Sequence, residues 1–241
     1  MANVEQHYDQ VLSDVYAWMA GGFDNAIARN VEFFAKHGIE PVGSKIALDL
    51  GAGCGFQSIP LARLGFAVTA IDLDRKLLDE LEEHSEGLSI ATVRDDILSF
   101  ERYVQCDVEL AVCMVDTIVH LESKPRVRTL FEKVLAALQD GGKIIVTFRD
   151  LSQELIELDR FIPVRSDHET VFTCFLEYEP ATVKVHDLVY RKREAGWVLH
   201  KSFYRKLRLS QQWVVEQLVE VGYTTVQAGA ADGFVTVVAA K

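Results

Sequence analysis

Ile46-Ala47-Leu48-Asp49-Leu50-Gly51-Ala52-Gly53-Cys54-Gly55 sets the reading of the whole chain. A short apolar run gives way to glycine at every second position, and a second apolar run resumes at Phe56. Glycine lets backbone amides approach a ligand that a side chain would block, so a strand, a ligand-holding turn and a helix are expected in that order. The spacing narrows the ligand. A dinucleotide turn, G-x-G-x-x-G, would put its third glycine where Phe56 stands, and no Gly-Lys-Ser/Thr follows to hold phosphates.

The 241 residues, 49% of them hydrophobic, suffice for one full core with additions. No apolar run approaches roughly 20 residues and no basic-plus-apolar leader opens the sequence, so a soluble, cytoplasmic protein without a membrane partner is expected. Cys54, Cys106, Cys113 and Cys174 show neither a C-x-x-C pair nor histidines at metal spacing, and read as reduced thiols with no metal. A net charge of −11 argues against general affinity for nucleic acid and favours a small-molecule partner.

Around the turn the pattern alternates. Residues 1–40 read as an N-terminal helical lid, with Val11, Leu12, Val15, Tyr16 and Met19 at helical spacing, a break at Gly21-Gly22, and Tyr8, Tyr16 and Trp18 available to a ligand or to packing. Over 41–150, strands at 46–50, 67–72, 89–93, 108–114 and 143–148 are separated by helices at about 56–64, 74–87, 98–104 and 123–139, which implies a parallel sheet buried on both faces. Residues 151–209 read as a short helix near 152–158 and an antiparallel meander at 169–178, 182–192 and 197–208. A helix at 210–221 and strands at 223–228 and 233–240 complete the core. The fold class is α/β, Rossmann-like.

Asp49 ahead of Gly51, Gly53 and Gly55 resembles motif I, D/E-x-G-x-G-x-G, of the class I S-adenosylmethionine-dependent methyltransferases. Asp72, ending the second strand 21 residues beyond Gly51, lies where a carboxylate meets ribose hydroxyls. Asp95-Asp96-Ile97 resembles the family's third motif, in which an acid takes the adenine amino group and an apolar neighbour packs on the ring. Val112-Cys113-Met114-Val115-Asp116-Thr117-Ile118-Val119-His120-Leu121 is similar to the C-L-G-N-S-x-x-H-L stretch of glycine N-methyltransferase-like small-molecule enzymes, with Val115 at the Gly position and Asp116 at the Asn position. No N/D-P-P-Y/F motif is present.

The resemblance covers residues 46–150 and the closing hairpin. It implies a seven-stranded sheet in the order 3-2-1-4-5-7-6 and the cofactor S-adenosyl-L-methionine, released as S-adenosyl-L-homocysteine. It assigns cofactor contacts to Asp49, Gly51, Ala52, Gly53, Gly55, Asp72, Leu73, Asp96, Ile97, Met114 and Val115, with Trp18 added from the lid. The chemistry expected is SN2 methyl transfer to a small-molecule acceptor, an amine in preference to a hydroxyl. His120 is the base candidate or a structural histidine, Asp116 meets the methionine end or the acceptor amine, and Arg149 binds an acceptor carboxylate or pairs with Asp150. Between Ala181 and Arg208 eight Lys/Arg face two Asp/Glu, a local +6 that reads as a solvated face or as a roof steering an anionic acceptor. Three readings stay open beside this one: an RNA or protein methyltransferase using the basic meander, a non-catalytic S-adenosylmethionine-binding protein, and a nicotinamide oxidoreductase. A homodimer is allowed.

Overall fold

In the computed structural model, which describes residues 7–241, β1 (Ile46–Leu50) runs through the middle of a seven-stranded sheet. On one side lie β2 (Ala67–Asp72) and β3 (Ile90–Arg94), and on the other β4 (Val108–Cys113) and β5 (Leu138–Phe148), all parallel. β10 (Thr225–Ala231) and β11 (Phe234–Ala240) form an antiparallel hairpin whose second strand pairs with β5. Numbered within the sheet alone, the order is the expected 3-2-1-4-5-7-6. Alternate residues of β1 serve opposite faces: Leu48 and Leu50 join one apolar cluster and Ala47 the other, so both sides need covering.

The helices supply that cover. α4 (Lys124–Ala137) and α5 (Gln211–Val221) press Leu130, Phe131, Val214 and Leu218 on one face. α1 (Phe23–Lys36), α2 (Ser58–Arg63) and α3 (Arg75–His84) bring Phe34, Leu61, Leu78 and Leu81 to the other. Asp74 caps α3 by accepting from the Leu77 amide at 3.1 Å, and Ser210 caps α5 through Trp213 at 3.1 Å. No helix among the described residues is long and apolar enough to cross a membrane.

A second sheet, antiparallel, has the order β6 (Phe161–Ser166), β7 (Thr170–Tyr178), β8 (Thr182–Arg193) and β9 (Gly196–Leu207). Its inner face packs against the lid: Val11, Leu12 and Val15 are buried with Phe172, Leu176, Val183 and Val185, away from the main core.

Four expectations need correction. The insertion has four strands, not three: the additional β6 is an edge strand, which accommodates Pro163 at its register shift between Pro163 and Arg165. The helix expected at 152–158 is absent apart from a single 3-10 turn at Glu157–Arg160, because Asp150 takes the Ser152 amide and hydroxyl and Arg208 takes the Ser152 carbonyl. β5 starts at Leu138 instead of 143, with Gly141-Gly142 inside the strand at a register shift against β4. The lid before Gly21 is a run of short turns, Tyr8–Leu12, Ser13–Val15 and Tyr16–Met19, and its first six residues lie outside the described ones.

Candidate functional site

The turn after β1 is packed closely by its neighbours. Gly51, Gly53 and Gly55 all have positive φ (84°, 53° and 90°). A Cβ at Gly51 would come within 2.4 Å of Thr117 and one at Gly55 within 2.2 Å of Leu81, so glycine is required there by packing as well as by conformation. Asp72, at the end of β2, accepts from the Gly53 amide at 2.8 Å and from the Asp74 amide at 2.9 Å, tying two strand ends together. Burial raises its carboxyl above the ordinary range, against those backbone bonds.

These residues line a cavity of about 360 Å³ with Leu73, Asp96, Ile97, Val115 and His120. Asp96 also starts the 3-10 turn Ile97–Arg102, accepting from the Leu98 amide at 2.9 Å. Four carboxylates, Asp72, Asp74, Asp96 and Glu122, line it against one cation, Arg126, an acidic balance that suits a cationic, phosphate-free cofactor; S-adenosylmethionine, with its sulfonium and ammonium, fits.

A second cavity of about 570 Å³ lies between the core, the lid and the inserted sheet. Its floor starts at the end of β4, where Val115 and Asp116 are both left-handed, with φ of 54° and 73°. That conformation is rare for any β-branched residue and marks a constrained junction. Thr147 fixes it, accepting from the Val115 amide through its hydroxyl at 2.7 Å and from the Asp116 amide through its carbonyl at 3.0 Å. The turn aims the buried Asp116 carboxylate at three donors: the Arg149 amide at 2.7 Å, the Arg149 guanidinium, and Lys206 Nζ at 2.7 Å. Burial alone would push this carboxyl up, but Lys206 and Arg149 outweigh it and hold Asp116 well below the ordinary carboxylate range. Across the cavity, buried Asp187 lies 2.8 Å from His7 Nε2 and accepts from the Cys174 thiol at 2.8 Å.

Tyr8, Tyr16, Val115 and His120 line both cavities and so mark where they meet. The rings form a chain: Tyr16 stacks on Phe56 at 5.8 Å, Tyr8 lies 6.2 Å from Tyr16 and 6.0 Å from His120, and His120 lies 5.3 Å from Tyr204. Burial, and then the Lys206 charge, push His120 down to about 3, so the imidazole is neutral, and its Nδ1 has no partner among the described residues. The lid is pinned over this junction by Ser13, which donates to Asp74 at 2.6 Å, and by Trp18, which donates to Asp167 at 2.6 Å.

Of the residues singled out from sequence, Gly51, Gly53, Asp72, Leu73, Asp96 and Ile97 come together around the smaller cavity, and Asp116 and Arg149 around the larger. Ala52, Gly55 and Met114 are buried behind these walls. Asp49 lies beneath the turn, accepting from the Ser58 hydroxyl at 2.6 Å with its other oxygen unpartnered, and burial pushes it up to about 7. Trp18 faces the inserted sheet instead of either cavity. Arg149 pairs with Asp116; its expected alternative, Asp150, is taken by Ser152 and Gln211. Lys206 and Asp187 went unrecognised. The basic, alternating pattern of 182–208 was their only signal, and it does not say which positions point inward.

Residues 47–142 match the family model of a methyltransferase domain. A protein of Geobacillus sp. (strain WCH70) named as a methyltransferase is 23% identical over 191 residues, 77% of this chain and 76% of its own length. The CcbJ methyltransferase of Streptomyces caelestis superposes with a TM-score of 0.75 at 18% identity, covering 99% of this chain and 96% of that one. The sugar N-methyltransferase KedS8 of Streptoalloteichus sp. superposes with a TM-score of 0.73 at 11% identity, covering 95% and 92%. These structural likenesses establish a common fold.

Proposed function

We propose that the chain is a class I S-adenosylmethionine-dependent methyltransferase, a reading supported by the methyltransferase-domain match over residues 47–142 and the named relative, and that it methylates an amine of a small molecule held in the 570 Å³ cavity. The observation that carries this reading is the neutral His120 where the cavities meet. A hydroxyl acceptor needs a base with a pKa near the working pH, and an imidazole pushed down to about 3 is a poor one. An amine needs only its own lone pair. The sugar N-methyltransferase among the structural neighbours supports the same class by analogy.

When bound, S-adenosylmethionine supplies an electrophilic methyl group on a sulfonium. In this proposal the chain's own residues do the rest. The Gly51–Gly55 turn gives the cofactor close backbone contact, Asp72 accepts from its ribose hydroxyls, Asp96 from its adenine amino group, and Ile97 packs on the adenine ring. Tyr8, Tyr16 and Tyr204 surround the junction with aromatic faces, which favour a cationic centre and exclude water. His120 keeps a free acceptor nitrogen there that can orient the incoming amine. The Arg149 guanidinium is about half exposed and shares one nitrogen with Asp116, leaving the rest of its fork for an acceptor carboxylate. Held this way the acceptor is aligned, which is where most of the acceleration of a methyl transfer arises.

The test is a labelled-methyl assay with cell extract, separated into small-molecule and macromolecular fractions. The label is expected in a low-molecular-weight N-methyl product. Label in RNA or protein would overturn the reading, as would cofactor binding without transfer to any fraction.

A further inference from the structure

Two arginines stand at the rim of the larger cavity with no carboxylate between them. Arg29, on α1, lines it; Arg165, on β6, follows Val164, which also lines it. Although 136 positions apart, they converge on the Gly21 backbone, where a Cβ would meet Arg165 Nη1 at 3.3 Å and Arg29 Nη1 at 3.5 Å. The two groups thus lie within about 7 Å of each other, a distance at which like charges repel. Several exposed arginines of this acidic chain have acids at hand, Arg75 with Asp79 and Glu82, Arg102 with Asp95, and Arg128 with Glu132 and Glu220, while Arg63 and Arg193 stand on the surface with no ion pair among the described residues. Among the described residues Arg29 and Arg165 make no ion pair.

What holds them is neutral. Arg29 Nη2 donates to the Ala20 carbonyl, and the Arg165 guanidinium lies over the Trp18 ring, 5.4 Å from its centre. Asp167, two residues from Arg165, is occupied by Trp18 Nε1 and the amides of Glu169 and Thr170. Each guanidinium thus has one neutral partner and, among the described residues, no carboxylate paired with it. Gly21, with φ of 92°, keeps the space between them open. Two guanidiniums converging on one glycine suit a doubly charged oxyanion better than a single carboxylate.

We propose that Arg29 and Arg165 form a phosphate-binding subsite at the rim of this cavity, which holds a phosphate group carried by the methyl acceptor. The proposal rests on the reading of the cavity as the acceptor's, and it gives the acceptor, besides the carboxylate met by Arg149, a phosphate that stays at the rim while its amine reaches the Tyr8–His120 junction.

The experiment titrates protein saturated with S-adenosylhomocysteine with phenyl phosphate, inorganic phosphate and benzoate, followed by calorimetry. Phenyl phosphate is expected to bind severalfold more tightly than inorganic phosphate, because its ring enters the wall formed by Ile162, Phe172 and Leu176. It should also bind more tightly than the singly charged benzoate. Arg29→Ala and Arg165→Ala should each weaken it about tenfold or more, with S-adenosylhomocysteine affinity and melting temperature unchanged as evidence of an intact fold. Arg29→Lys keeps the charge without the fork and should fall between. Phenyl phosphate affinity that is unchanged in either alanine variant, equal to that of inorganic phosphate or benzoate, or absent in the millimolar range would overturn the subsite. No methyl transfer is measured, so this result stands or falls separately from the amine assignment.

Discussion

The smaller cavity takes its walls from the turns that follow β1, β2, β3 and β4, all within residues 51–126 apart from the lid's Tyr8 and Tyr16. The larger draws on segments scattered from Tyr8 to Phe234 and closes only when the lid and the inserted sheet come together. Their electrostatics differ in the same sense. The first presents carboxylates held by backbone amides. The second is organised around a buried carboxylate, Asp116, held by Arg149 at the end of the neighbouring β5 and by Lys206 from β9 of the other sheet. A cofactor common to many enzymes can be met by local turns, whereas an acceptor has to be met by tertiary structure.

The sharpest way to break this contrast is Asp116→Ala. It leaves Lys206, 8% exposed, without its carboxylate, and removing one partner of a buried pair costs about 3 kcal/mol here. Urea unfolding should show that loss, and a loss within experimental error would mean that the pair is not what organises the larger cavity. Because the folded carboxyl lies below its unfolded value, its stabilisation is complete above about pH 4 and disappears as pH falls through the lower folded value. Wild type and Asp116→Asn should therefore converge in stability only in strong acid.

On the cofactor side, Asp72→Ala should lower S-adenosylhomocysteine affinity by about 1.5–3 kcal/mol, the value of charge-assisted hydrogen bonds. Asp72 also holds the Gly53 and Asp74 amides, so part of the loss is in the turn itself. Calorimetry with melting curves separates the two, and unchanged affinity would remove Asp72 from the site.

Between the cavities stands Val115. Its left-handed backbone stores about 1–3 kcal/mol in a β-branched residue, offset in part by the roughly 0.5–1 kcal/mol of chain entropy that glycine loses on folding. Since the side chain is 39% exposed, Val115→Gly gives up little burial and should stabilise the protein by about 1 kcal/mol while raising KM for the acceptor. Equal or lower stability would show that the strain is relaxed elsewhere.

The same division governed what sequence could reveal. β1 and β2 were readable to the residue, since an apolar run ending in glycines or an acid carries both its conformation and its limits. Asp72 ends β2 and Asp96 follows two residues after β3, so both come beside the turn by their place in the alternation of strands and helices. Asp49 was harder: β-strand alternation puts it beneath the glycines, and only packing shows that Ser58 meets it there. Lys206 and Asp187 lie on long strands whose inward face depends on the register with β7 and on the position of the lid, and neither is encoded locally. β6 is hard to read for a related reason, since whether a proline such as Pro163 breaks a strand or sits on its edge depends on what lies beside it.

The smallest effect expected is a null result, and it bears on the one residue shared by both cavities whose chemistry the sequence left ambiguous. If His120 were the base, kcat/KM would rise through its pKa between pH 5 and 8, and His120→Ala would abolish that inflection with a loss of about 10²–10⁴-fold. Burial and Lys206 instead keep the imidazole neutral throughout that range. Its ring contacts with Tyr8 and Tyr204 give it a positioning role. His120→Ala should then cost less than about tenfold in turnover, shift the acceptor's KM, and leave the shape of the pH profile unchanged. A wild-type inflection that vanishes in the variant would restore His120 as a base, return hydroxyl acceptors to consideration, and mean that the larger cavity holds its lysine farther from the imidazole than the structure places it.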